Sequence, residues 1–150
     1  MAVFTTSETR QLCTFYVDNL YFGIDVLSVQ EVIRHQQLSR VPLAPAAVSG
    51  LINLRGQIVT AIDLRKRLNL PERNPDEWTD EHPLNVVVHR EDAAVSLQVD
   101  QIGDVVHVEE DAMESPPATL DPLTAKLTEC VYKLPDKLLL VLDIEETLAL

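Results

Sequence analysis

Apolar and polar residues alternate along this chain in short runs, and the runs come in pairs. Residues 12–17 and 20–24 flank Asp18-Asn19, a sequence suited to a tight hairpin turn. Residues 51–54 and 58–62 flank Arg55-Gly56, where glycine accepts a positive φ without steric cost. Residues 86–89 and 94–99 flank a third turn at 90–93, and residues 131–134 and 138–142 flank Pro135-Asp136-Lys137. Four hairpins are therefore predicted. Between them, Val26, Val29 and Ile33 have helical spacing, as do Val99, Ile102 and Val106, which predicts short amphipathic helices. Residues 71–83 read as a linker, because three prolines and five acidic residues surround one large apolar side chain, Trp78.

The pattern repeats. Residues 23–33 match residues 96–106 at an offset of 73, so that Ile24, Val26, Val29, Val32 and Ile33 fall on Leu97, Val99, Ile102, Val105 and Val106. Pro42 falls on Pro116 at an offset of 74, and residues 51–68 match residues 131–148 at an offset of 80. Two collinear matches imply an internal duplication, with about six extra residues between the proline loop and the last hairpin of the second copy. Five short antiparallel strands per copy is the content of an SH3-like barrel. The predicted fold is mainly β: two SH3-like five-stranded barrels packed together, with short helices. The first barrel is placed at 10–75, an acidic linker at 76–82, and the second barrel with a C-terminal helix at 83–150. A copy of about 70 residues buries little surface alone, so the two should share a core and leave a seam between them.

Charge sharpens the division. The net charge of −12 is distributed as +2 over residues 1–75 and −14 over residues 76–150. Such an acidic surface repels phosphate backbones and anionic lipid, which argues against nucleic-acid and membrane partners. A plainer role for the acid is solubility. No apolar run is long enough to span a bilayer, and residues 1–11 lack the basic start and apolar stretch of a signal peptide. Cys13 and Cys130 are isolated thiols without C-x-x-C spacing, as expected in a reducing compartment. These features place the chain in the cytoplasm.

Enzymatic chemistry is not indicated. His35, His82, His89 and His107 have no zinc-binding spacing. The four glycines form neither a dinucleotide fingerprint nor a phosphate loop, and no serine sits in a nucleophile elbow. The reading is therefore a protein without catalytic residues, metal or cofactor.

Residues 41–65 run VPLAPAAVSGLINLRGQIVTAIDLR, and the segment Gly50-Leu51-Ile52-Asn53-Leu54-Arg55-Gly56, followed by Asp63-Leu64-Arg65, resembles the central signature of CheW-like chemotaxis coupling proteins. Gly23-Ile24-Asp25-Val26 with Val29-Gln30-Glu31-Val32 resembles the family too, as do Val99-Asp100-Gln101-Ile102, Ser115-Pro116-Pro117 and Leu142-Asp143-Ile144-Glu145. The likeness covers about residues 10–150, which makes 1–150 a single CheW-like domain. It implies an adaptor that links the regulatory domain of a CheA-type histidine kinase to the cytoplasmic tips of methyl-accepting chemoreceptors, recruited to receptor arrays. The alternative is a regulatory or ligand-sensing module of a related two-component system. Cys130 stands where the family has a glycine, and Thr60 where proline is common.

By the same resemblance, Val29, Glu31, Gly50 and Arg55 match positions linked to receptor or kinase coupling. Each has a structural alternative: core packing for Val29, a solvated face for Glu31, a close backbone approach for Gly50, and a hairpin stitch for Arg55. A separate candidate comes from charge. Arg65, Lys66 and Arg67 follow Asp63, a natural N-cap, so three cations sit at the positive end of a short helix. In the second copy Asp143 is followed by Glu145 and Glu146, the pattern of a capping box. The basic turn either pairs within the chain, with the linker at 76–81 or the acidic second half, or faces an acidic partner.

Overall fold

The computed structural model describes residues 9–77 and 83–150. Trp78, His82 and the rest of the linker at 78–82 lie outside the described residues. Ten strands form two five-stranded sheets. In chain order they are β1 (Thr9–Val17), β2 (Leu20–Asp25), β3 (Val29–Ile33), β4 (Val48–Leu54), β5 (Gln57–Asp63), β6 (Leu84–Arg90), β7 (Ala93–Val99), β8 (Gln101–Glu109), β9 (Thr128–Lys133) and β10 (Leu138–Leu142). Three short helices, α1 (Leu64–Arg67), α2 (Pro122–Lys126) and α3 (Ile144–Leu148), complete the fold.

All four predicted hairpins are present. Three of their turns carry the positive φ that a tight connection between right-twisted strands favours, at Asp18 (55°), Glu91 (50°) and both Arg55 (52°) and Gly56 (88°). The predicted helical pieces are not helices. Val26–Ser28 makes one 3-10 turn capped by the Asp25 carboxylate, and the chain then enters β3; Ile102 and Val106 lie within β8. β-branched residues dominate both segments, and ladders to β6 and β1 satisfy their backbone groups, so pairing prevails over the fortuitous spacing.

The sheets read β8-β1-β2-β10-β9 and β3-β6-β7-β5-β4. Numbered by position within each copy, both follow the order third, first, second, fifth, fourth. The duplication is thus visible in the topology, with the copies exchanged. Each sheet takes its first hairpin from one copy and its other three strands from the other. The boundary expected at the acidic linker is therefore not a boundary between sheets. Parallel pairing of β10 with β2 and of β5 with β7 joins the contributions. The chain changes sheets between its second and third strands, at the 3-10 turn in the first copy and at Asp100 in the second.

Other details repeat as well. Ser39 bridges Leu51 and Glu114 bridges Val131, each tying the segment after the third strand to the fourth. Asp63 and Asp143 cap α1 and α3 through the backbone N–H of Lys66 and Glu146. Their own N–H groups donate to Ala47 and Leu127 carbonyls at 2.8 and 2.7 Å, so the reciprocal half of the expected capping box is not made. The excess length of the second copy is accommodated by α2, which Asp121 caps and a proline opens.

Three apolar clusters hold the fold. One fills the first sheet (Leu12, Tyr21, Tyr132, Leu139) and one the second (Ile52, Val59, Ala61, Val87). The largest lies between the sheets and draws on both copies: Phe15, Phe22, Ile62, Leu97, Leu127 and Leu140 are all buried in it. That is the shared core predicted from the size of each copy.

Candidate functional site

β3 and β4 are the two edges of the second sheet, yet the turn of the β4–β5 hairpin reaches β3. Arg55, at the tip of the β4–β5 hairpin, donates from Nη2 to Glu31 Oε2 at 2.5 Å. Gln30 Nε2 donates to Gln57 Oε1 at 3.2 Å beside it. A bulge between Val29 and Glu31 sets Glu31 opposite Val87, a residue of the sheet's interior cluster. The Glu31 side chain is 26% exposed, against 67% for Arg55, and its second oxygen Oε1 is buried without a partner among the described residues. The pair therefore presents a guanidinium at the surface, steered from below by a half-buried carboxylate.

Val29 shares the strand with Glu31. It is half-buried and packs on the cluster between the sheets, so its core role is real. Gly50 sits on β4, buried, with a φ of 153°. A Cβ there would lie 2.6 Å from the Ser39 carbonyl oxygen, inside the Ser39–Leu51 bridge. Its demand is the close backbone approach anticipated from sequence. The four residues are thus divided between the two edges of the second sheet, Val29 and Glu31 on β3, Gly50 on β4 and Arg55 at the hairpin tip after β4, and the Glu31–Arg55 pair joins them.

The basic turn divides. Arg65 leaves α1 to grip Asp100, with Nε at 3.0 and 3.1 Å from its two oxygens and Nη2 at 2.6 Å. Arg67 donates to the carbonyls of Thr147 and Glu146, both at 2.8 Å, and of Ala149 at 3.3 Å, closing the end of α3. Only Lys66 is exposed. Two of the three cations thus pair within the chain, Arg65 mainly with Asp100 and Arg67 with the end of α3, both in the second half.

Asp100 was not singled out by sequence, although a signal existed. In the repeat it replaces Leu27, an acid aligned with an apolar residue. Burial works to raise its carboxyl, but the Arg65 guanidinium, the Asp18 N–H at 2.7 Å and Arg73 at 3.8 Å outweigh burial and hold it below the ordinary carboxylate value. Both thiols, Cys13 and Cys130, are pushed up by burial and are unpaired. Cys130 packs in the first sheet's cluster, with Arg10 Nη1 3.8 Å from its Sγ. Among the described residues no three His, Cys, Asp or Glu side chains gather as metal ligands, and no helix is long and apolar enough to cross a membrane.

Two interleaved five-stranded sheets with a charged hairpin tip over an edge strand define a small β scaffold. The chain belongs to the CheW-like domain family, whose model matches residues 11–150. It is 32% identical to Chemotaxis protein CheW of Treponema pallidum (strain Nichols) over 139 residues, 93% of this chain and 82% of that one. It is 36% identical to Chemotaxis protein CheW of Bacillus subtilis (strain 168) over 134 residues, 89% of this chain and 83% of that one. Among solved structures it resembles the scaffolding protein TtCheW from Thermoanaerobacter tengcongensis, with a TM-score of 0.77, 26% identity, and coverage of 90% of this chain and 89% of the other. Its role is that of a chemotaxis adaptor or scaffold.

Proposed function

We propose that the chain is a non-enzymatic cytoplasmic adaptor that joins the regulatory domain of a CheA-type histidine kinase to the cytoplasmic tip of a methyl-accepting chemoreceptor, and is recruited to receptor arrays. Val29, Glu31, Gly50 and Arg55 form its coupling edge. The observation that carries this reading is the Glu31–Arg55 pair. It holds a mostly exposed guanidinium at a hairpin tip, with donors left over for a partner's carboxylate or carbonyl. An exposed pair of this kind contributes only about 0–1 kcal/mol to folding, so its value lies in orientation. A ligand-sensing module is not favoured, because the relatives that match nearly the whole chain are chemotaxis proteins.

The test is binding of the purified full chain to a kinase regulatory domain and to a receptor-tip fragment from the same organism. Arg55→Glu should weaken binding about tenfold or more, beyond the modest loss of stability expected from a second carboxylate beside Glu31, and Arg55→Gln, which avoids that repulsion, should weaken it with melting nearly unchanged. Wild-type affinity in both variants would remove Arg55 from the coupling edge.

A further inference from the structure

The chain carries twice as many acidic as basic residues, 24 against 12, and most of its arginines are paired. Arg10, Arg55, Arg65 and Arg73 each reach an acidic side chain, and Arg67 is held by carbonyls. Arg40, Lys66 and Lys126 do not, and of these Arg40 and Lys66 lie together. Neither side chain has a hydrogen-bond or ion-pair partner among the described residues, and both are exposed. They are 26 residues apart in sequence, yet they line one concavity of about 710 Å³. It is lined by the proline loop between β3 and β4, together with Val48, Ser49 and Lys66. On this loop Leu43 is fully solvent-exposed at a φ of 62°, and Val41 is also exposed. An apolar side chain held in water in the left-handed region is unfavourable on both counts in the free protein.

We propose that this concavity is a docking surface for an acidic, partly apolar segment of a protein partner, read by Arg40 and Lys66 and packed against Leu43. The proposal rests on the adaptor reading and adds a second, charge-selective contact beside the coupling edge. Charge complementarity selects the occupant. Two uncommitted cations favour an acidic segment, and the exposed apolar loop needs apolar atoms to cover it. A second copy fits less well, because each copy brings a net charge of −12 to the contact. A small anion fits less well too, because the two cations are exposed and nothing encloses it.

The probes are the kinase regulatory domain and the receptor-tip fragment, titrated against the full chain at about 0.1 M and about 0.5 M salt. Arg40→Glu with Lys66→Glu should weaken binding of at least one probe about tenfold at the lower salt, and less at the higher. Arg40→Lys with Lys66→Arg should keep most of the affinity. Leu43→Ser should cost affinity several-fold without a change in salt dependence. Neither cation has a partner to lose, so melting should not move; Arg40→Gln with Lys66→Gln repeats the test with a milder change. If Arg55→Glu weakens binding and the Arg40/Lys66 variants do not, the coupling edge stands and this surface is overturned. If the wild-type chain binds neither probe, both readings fall. Displacement of the probe by pyrophosphate, or wild-type self-association lost in the double variant, would assign the surface to a small anion or a second copy and overturn the proposal.

Discussion

Arg65 grips both carboxylate oxygens of Asp100 across 35 residues of sequence, and through that pair four segments of the chain are tied together. Asp100 also accepts the Asp18 N–H from the β1–β2 turn, and Arg65 Nη1 donates to the Pro71 carbonyl at 2.6 Å. The pair stands where β7 passes into β8, the point at which the second copy changes sheets. Asp100→Asn removes the main charge partner of a mostly buried guanidinium, leaving it Asp18 Oδ1 at 3.5 Å, and should cost somewhat less in denaturant unfolding near neutral pH than a fully stranded charge, which costs about 3–5 kcal/mol. The pH dependence has a definite sign. The folded carboxyl is held below its ordinary value, so its contribution is present above the unfolded value of about 4 and is lost as pH falls through the folded one. The difference between wild type and Asp100→Asn should therefore shrink as pH is lowered below about 4. A difference that is flat with pH would show that the charge on Asp100 is not what stabilises the junction.

Residues 1–75 expressed alone should not fold. The fragment loses β6 and β7, the centre of the second sheet, and β8, β9 and β10 from the first. It also exposes its half of the large cluster between the sheets. Poor dispersion of amide resonances and no cooperative thermal transition are expected. A monomeric fragment with a sharp melt would contradict the exchange of strands.

The hairpins, the duplication and the shared core could all be read from the chain, because each depends on local alternation or on matching segments. The exchange of strands could not. A repeat says which segments are equivalent, not which copy they pair with, and that choice is made by the long-range contacts of β10 with β2 and β5 with β7. The spacing of Val26, Val29 and Ile33 misled for a related reason: three apolar positions fit a helix, while β6 supplies the partner that makes Val29 and Ile33 a strand and leaves Val26 in a single 3-10 turn. At the site, Gly50 was legible because a glycine ahead of a strand implies close approach. The Glu31–Arg55 contact was not, since it joins opposite edges of one sheet.

Val29→Asp tests two roles together. The side chain packs on the cluster between the sheets, so a carboxylate there should lower stability by about 1–3 kcal/mol in chemical denaturation. Loss of partner binding in this variant is then interpretable only beside a stability-matched control such as Val29→Ala. If Val29→Asp melts as the wild type does, the residue is more exposed in solution than its packing indicates.

The basic turn of α1 separates into three experiments. Arg65→Gln removes the charge opposite Asp100 and should cost about as much as removing Asp100 itself. Combined with Asp100→Asn it should cost less than the sum of the two, because each single change deprives the other partner of its main counter-charge. Arg67→Gln removes the donor that closes the last turn of α3, where the Glu146, Thr147 and Ala149 carbonyls converge. Hydrogen bonds from a charged donor are worth about 1.5–3 kcal/mol, and water replaces part of that at a partly exposed helix end, so a loss of about 1–2 kcal/mol is expected. Lys66→Gln touches no partner and should stay within about 0.5 kcal/mol of wild type. Its ammonium also lies near the N-terminal end of a capped helix, so removing it gives a slight gain rather than a loss. Urea unfolding of the three single variants distinguishes the outcomes. Equal losses at all three positions would mean that the turn acts as a block of charge, and the separate anchoring of Arg65 and Arg67 would be wrong.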